Sequence, residues 1–257
     1  MEKAGSIAGQ ILARLGDHLA PGVSTQRLDD LAAQMMADSG VLSSFKGFRG
    51  YPSTICTSIN DVVVHGIPSP DLRLEEGDII SIDLGVIYLG YHADTASTFS
   101  IGRISKEAEH LVTVTREARA VGIARAVAGR PLSDVSRAVQ AHVEEVNGCS
   151  VIRALTGHGI GKTMHEDPPI PNFDDGDAGP ILKRGMALAI EPMVSLGDHR
   201  VTVDADGWTV RTADGSLAAH FEHTIVVERD GPRILTMPPD RAELGEQVDA
   251  ERTSVAC

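Results

Sequence analysis

The sequence predicts an α+β fold of two halves related by a pseudo-twofold axis, each half a helix pair followed by antiparallel strands, all arranged around a central sheet. Three observations carry this. A helix, Pro-containing turn, helix pattern occurs twice; a Leu-x-x-Gly segment followed by an Ile-acid pair occurs twice; and the runs beside those acids are β-branched and apolar with strand character.

Taken in order, residues 4 to 19 carry Ile7, Ile11, Leu15 and Leu19 at helical spacing. Pro21-Gly22 ends that run, and Ser24 or Thr25 can cap a second helix through Leu28, Leu31 and Met35 to Gly40. The same order returns with a helix from about Lys106 to Ala128, the break Gly129-Arg130-Pro131, a cap at Ser133, and Val135, Val139, Val143 and Val146 leading to Gly148. Leu74-Glu75-Glu76-Gly77 precedes Ile82-Asp83 as Leu182-Lys183-Arg184-Gly185 precedes Ile190-Glu191, and His65-Gly66-Ile67 matches His158-Gly159-Ile160. Ile79 to Ile87 and Tyr91 to Phe99 read as a hairpin turning at Leu89-Gly90, which brings Asp83 and Asp94 near each other on one face. His223 to Val227 is a further strand, with Met186 to Met193 its neighbour. One domain is expected over 1–235, its halves about 1–104 and 105–235, with 236–257 an acidic, flexible tail.

Composition narrows the function. A chain of 257 residues that is 42% hydrophobic can bury a sizeable core. A net charge of −13 argues against a broad nucleic-acid or anionic-membrane footprint, so no direct DNA binding is expected. No stretch reaches the roughly eighteen apolar residues of a membrane span, and the N-terminus has no long apolar run, so a cytoplasmic protein is expected. Cys56, Cys149 and Cys257 lack CxxC spacing and are expected as reduced thiols.

Asp83, Asp94, His158, Glu191 and Glu222 each sit in a short apolar or Gly-flanked stretch, where an unpaired ionisable group is costly. Four acids and one imidazole converging in a core are stable around cations, and oxygen-rich ligation with one nitrogen suits Mn²⁺, Fe²⁺ or Co²⁺.

In order and context these five residues resemble the ligand set of type I methionine aminopeptidases, over about Ala4 to Val227. The likeness includes the segments Ser58–Pro68, Gly157–Gly161 with His165-Glu166, Ile190–Met193 and Glu222–Val226. The resemblance implies the pita-bread fold of the M24-type metallopeptidases, with two divalent metals (Co, Mn, Fe, Ni or Zn) in the seam between the halves. Asp83 would chelate one metal, Asp94 and Glu222 would bridge both, and His158 with Glu191 would complete the other. A metal-bridging hydroxide would attack the peptide carbonyl, with Glu191 shuttling its proton, His165 near the carbonyl oxygen and His65 near the scissile nitrogen.

Phe48, Tyr51, Cys56, Met164 and Trp208 would line the methionine pocket with the two histidines. Met164 stands where the family usually has an aromatic, and Asn60 with the Val62 carbonyl matches a monovalent-cation site of relatives. His18, His92, His110, His142, His199, His220 and His223 keep the ordinary reading of surface or core imidazoles, although His223, beside Glu222, is placed where it could orient a ligand. The implied substrates are nascent polypeptide N-termini with a small second residue, met by a monomer, with a ribosome contact expected. The competing readings are an Xaa-Pro aminopeptidase or prolidase-like hydrolase, a non-catalytic binding module on the same fold, and a structural metal site.

Overall fold

The computed structural model describes residues 1–237, so the expected acidic tail beyond Met237 lies outside the described residues. The N-terminal half opens with α1 (Glu2–Gly16) and α2 (Thr25–Asp38). Ile7, Ile11 and Leu15 share the buried face of α1. The Ser24 hydroxyl caps α2 by accepting the Arg27 N–H at 3.3 Å. Short strands β1 (Leu42–Ser43), β2 (Cys56–Ile59) and β3 (Val62–Val64) lead to the long hairpin β4 (Ile79–Tyr88) and β5 (Tyr91–Ser100). Leu89 and Gly90 form its two-residue turn, both at positive φ (49° and 77°).

The C-terminal half repeats the helix pair as α3 (Lys106–Arg125) and α4 (Ser133–Gln140), the latter running on as a π-helical turn over Ala141–Val146. Ser133 is not the cap. It is the first helical residue, Leu132 precedes it, and its buried hydroxyl has no partner among the described residues. Then come β6 (Ser150–Val151), β7 (Thr156–Gly159), β8 (Glu166–Pro171), β9 (Ala187–Ile190), β10 (Met193–Ser195), β11 (Val201–Val203), β12 (Val210–Thr212), β13 (Ala218–His220), β14 (Glu222–Val226) and β15 (Arg233–Ile234). The expected strand from Met186 to Met193 is therefore two strands, because Pro192 has no N–H to give to a ladder.

One sheet runs β1-β4-β5-β14-β9-β7-β8, with β2 also on β4 and β15 on β14; β13-β10-β6 and β11-β12-β3 form two smaller sheets. The helices cover one face of the large sheet. Ile80, Ile82, Leu84 and Val86 pack on α1 and α2, while Leu188, Ile190 and Ile225 pack under α3 and α4. Strand alternation puts Asp83 on the opposite face from Ile82 and Leu84. Asp94 lies across from Gly85, and Asp83 across from Ala96, so the two acids are diagonal neighbours on one face.

The duplication is visible in backbone hydrogen bonds. The Gly77 N–H donates to Ile101 O as the Gly185 N–H does to Val227 O, and the Gly22 N–H donates to Leu74 O as the Gly129 N–H does to Leu182 O. Counting from these anchors, Asp83 corresponds to Glu191, Asp94 to His220 and Ala96 to Glu222. Ala96 and Glu222 face one another directly in the β5–β14 ladder, so the pseudo-twofold passes between them. The match of His65-Gly66-Ile67 to His158-Gly159-Ile160 is not part of the duplication. Ser58 pairs with Ser81, and His158 pairs with Ala189, which is the counterpart of Ser81. His158 thus answers to Ser58, and His65 lies beyond β3.

Candidate metal centre

Each half supplies the seam from different backbone. Asp83 and Asp94 come from the hairpin, Glu222 from the first residue of β14, His158 from β7, and Glu191 from the gap between β9 and β10. Asp94 is clamped at its backbone. Its N–H donates to Thr224 Oγ1 at 2.9 Å, the Thr224 hydroxyl donates to the Asp94 carbonyl at 2.8 Å, and its Oδ1 accepts the Thr95 N–H at 3.0 Å. The Glu222 carbonyl accepts the Thr95 hydroxyl at 3.0 Å. Glycines flank His158 because a Cβ on Gly157 would overlap the Ala189 carbonyl and one on Gly159 the Asp167 carbonyl.

Asp94, His158 and Glu222 each present a ligand atom, all within 4.8 Å of one another. The His158 Nδ1–H donates to the Gly159 carbonyl at 2.9 Å, which leaves the Nε2 lone pair facing the acids, 3.4 Å from Glu191 Oε1. Asp83 Oδ1 and Glu222 Oε1 are buried with no hydrogen-bond partner among the described residues. Asp83, Glu191 and Glu222 are all held well above the ordinary carboxylate range, first by burial and then by the charge of Asp94 beside them. Asp94 is raised to about 7, chiefly by burial. Burial, with His165 nearby, lowers His158 to about 4 and keeps it neutral. Orphaned carboxylate oxygens and one neutral imidazole are what divalent cations satisfy, so the donor set fits a metal.

The cavity beside the acids is walled by Phe45, Phe48, Arg49, Tyr51, Cys56, His65, Met164, His165 and Trp208. Tyr51 and Trp208 meet edge to face at 5.1 Å, and the Tyr51 hydroxyl donates to a backbone carbonyl, Ile55 O or Gly66 O, each 3.1 Å away. Cys56 lies across the ladder from Asp83; burial, then the Asp83 charge, push its thiol up, so it is a wall and not a nucleophile. Met164 is 7% exposed and packs with Phe45, Tyr51 and Cys56, a flexible thioether at the aromatic's place. Phe45 escaped the sequence reading, having no motif around it, whereas Arg49 lies in the segment Phe48 to Pro52 that the family resemblance assigns to the pocket.

The two motif histidines take different stations. His65 is half-buried, has φ 60°, and its ring lies 6.3 Å from that of Trp208. His165 stands on the exposed rim, its ring 4.2 Å from that of His158 and 5.4 Å from Phe48. Burial lowers both, helped by His165 at His65 and by Arg49 at His165. His223 does not orient a ligand: its Nδ1 pairs with Thr236 Oγ1 at 2.7 Å, on the side of the sheet away from Glu222. His220, read as an ordinary core imidazole, reaches the site; its Nε2 is 3.6 Å from Glu191 Oε2. Asn60 is a turn residue at φ 54°. Its side chain donates to Asp78 Oδ1 and accepts from Ile79 N–H, and its carbonyl takes the Ala218 N–H.

Residues 1–229 match the family model described as metallopeptidase family M24. The chain belongs to that family. Within it, the chain stands among the methionine aminopeptidases: it is 49% identical over 237 residues to the methionine aminopeptidase of Clostridium acetobutylicum, covering 92% of this chain and 94% of the relative. It is 45% identical over 236 residues to methionine aminopeptidase 1 of Bacillus subtilis, covering 92% and 94%. The crystal structure of methionine aminopeptidase from Thermotoga maritima superposes with a TM-score of 0.90 at 43% identity, covering 92% of this chain and 95% of that one. The fold is accordingly the pita-bread fold, and the buried Asp, His and Glu cluster is its metallopeptidase site.

Proposed function

We propose that this chain, a methionine aminopeptidase, removes the N-terminal methionine from peptides and nascent proteins whose second residue is small, using two divalent ions held by Asp83, Asp94, His158, Glu191 and Glu222. The observation that carries the reading is the juxtaposition of orphaned acid oxygens, Asp83 Oδ1 and Glu222 Oε1, with an apolar slot lined by Tyr51, Cys56, Met164 and Trp208. Bound divalent ions supply Lewis acidity toward the scissile carbonyl and bring the pKa of water toward neutrality.

The rest falls to the protein. The slot takes the methionine side chain, whose polarisable sulfur suits aromatic neighbours. His165 on the rim donates to the carbonyl oxygen as negative charge develops there. Half-buried His65 meets the nitrogen side of the scissile bond, and Glu191 takes up a proton from water and passes it toward the leaving amine. Crowding of the mouth by His65, Trp208, Phe48 and His165 supports the preference for a small second residue. The reading takes the enzyme as a monomer in the cytoplasm, a compartment that the unpaired thiols of Cys56 and Cys149 support.

The test is kcat/KM for Met-Ala-Ser, Met-Glu-Ser, Leu-Ala-Ser and Ala-Pro-Ser under one metal condition. Met-Ala-Ser is expected to lead by at least about tenfold, the scale of discrimination a shaped pocket gives. Preference for Ala-Pro-Ser would replace this reading with the prolidase-like one, equal rates on Met and Leu would refute the pocket, and no cleavage with any divalent ion would favour a binding module.

A further inference from the structure

His220 is 2% exposed, and neither ring nitrogen has a hydrogen-bond partner among the described residues. Its backbone is fixed, the N–H donating to Thr98 Oγ1 at 2.9 Å and the carbonyl accepting the Thr98 hydroxyl at 2.9 Å, with Met193 as ladder partner. A buried imidazole with both nitrogens idle is costly, and such groups call for an explanation. The ring does not line the substrate cavity; it stands behind Glu191, its Nε2 3.6 Å from Oε2.

Glu191 is thus bracketed by two imidazoles, His158 at Oε1 and His220 at Oε2. The two differ in what else they can do. His158 has Nδ1 committed to the Gly159 carbonyl, so its Nε2 is the atom it can offer a metal. Once that atom is so used, His220 remains the imidazole able to hold the carboxylate. The backbone of Glu191 offers little help: the residue sits between β9 and β10, Pro192 follows it, and among the described residues the one side-chain bond to its carbonyl is from Asn172 Nδ2 at 3.1 Å.

From this placement we infer that His220 is a positioning residue for Glu191, its Nε2–H donating to Oε2 so that Oε1 alone turns to the metal side. The inference rests on the proposed role of Glu191 as ligand and proton carrier. Contacts behind a ligand of this kind are typically worth about tenfold to a hundredfold in metal affinity or activity, and hydrogen bonds that are long in the ligand-free protein commonly tighten on loading.

The experiment compares His220→Gln, whose amide N–H can reach Oε2, with His220→Asn, whose shorter amide cannot, and with His220→Leu. Each is followed by Co²⁺ titration of the metal-stripped protein, read in visible absorption, and by kcat and KM on Met-Ala-Ser. His220→Leu and His220→Asn are expected to bind Co²⁺ about tenfold more weakly and to lose about tenfold to a hundredfold in kcat, with KM changed by less than about threefold; His220→Gln is expected to recover most of both. Equal behaviour of Gln and Asn, or Co²⁺ affinity and kcat in both Leu and Asn variants equal to the parent's, overturns the inference. Glu191→Gln, run alongside, separates the two readings: full activity there defeats the proposed role of Glu191, whereas an inactive Glu191→Gln with undisturbed His220 variants defeats only this inference.

Discussion

The two halves share a plan and differ where the chemistry is. In the N-terminal half Asp83 and Asp94 ride on strands of ten residues each, Ile79–Tyr88 and Tyr91–Ser100, unbroken through both acids. The corresponding strands of the C-terminal half are interrupted, at Glu191-Pro192 and at Phe221, and their far portions peel away into the sheet β13-β10-β6. A continuous ladder fixes a side chain through its backbone, so the N-terminal acids need little else. A residue at a break must be held through its side chain, which is why the C-terminal half surrounds Glu191 with imidazoles while its counterpart Asp83 has another acid as neighbour. Duplication supplied the frame, and the departures from symmetry supplied the ligand set.

The most severe way to break the comparison is Glu222→Ala, which makes the axis residue the same on both sides. Activity on Met-Ala-Ser should fall to background, at least about 10³-fold, and bound metal measured by elemental analysis should drop; retention of either would remove Glu222 from the centre. Next, His165→Ala should lower kcat by on the order of 10², the scale of losing one donor to a developing oxyanion, with metal content unchanged. An unchanged kcat would take the rim histidine out of the reaction and leave catalysis to His65 of the other half.

A smaller effect tests the shared charge. Asp94 titrates at about 7 in the fold and burial holds the other three acids well above the ordinary range too, against about 4 for unfolded carboxylates. Their raised values favour the folded state below the unfolded pKa, and that advantage is lost as pH rises through the folded values. Buried His158 and His220 act in the opposite sense, but only below about 6.5, where unfolded histidines gain protons. The metal-stripped protein should therefore lose thermal stability between about pH 6.5 and 8, and Mn²⁺ should flatten that slope; a flat profile without metal would show that the acids do not repel one another as placed. The smallest contrast lies in the helix starts. Ser24→Ala should cost about 1 kcal/mol in denaturant unfolding through loss of its cap, whereas Ser133→Ala should be neutral or slightly stabilising, because its hydroxyl is already unpartnered.

Much of this was legible in the chain. Helical spacing around Ile7, Ile11 and Leu15, the Leu89-Gly90 turn and the repeated Leu-x-x-Gly segments locate the helices, the hairpin and the two halves, because each is a local pattern with a local cause. The four acids and the imidazole stood out because charge in an apolar strand is costly. What local pattern cannot convey is which sheet a strand joins. Ile190 and Met193 look like one strand until Pro192 withholds its N–H, and His220 looks like an ordinary core residue until the pairing of its strand with β10 brings it beside Glu191. The His65 tripeptide misled for the same reason: it copies the letters around His158, while ladder register assigns that place to Ser58.

The pairing of Ala96 with Glu222 also says something about covalent linkage. In a dimer of identical chains, any residue on the twofold meets its own copy, and an acid there would face a second acid at about 5 Å. Joining both halves in one polypeptide frees the two sides to differ, so a small neutral residue can make room for a single carboxylate at the centre of the molecule. Tandem fusion thus permits a ligand geometry that two exchangeable subunits could not adopt.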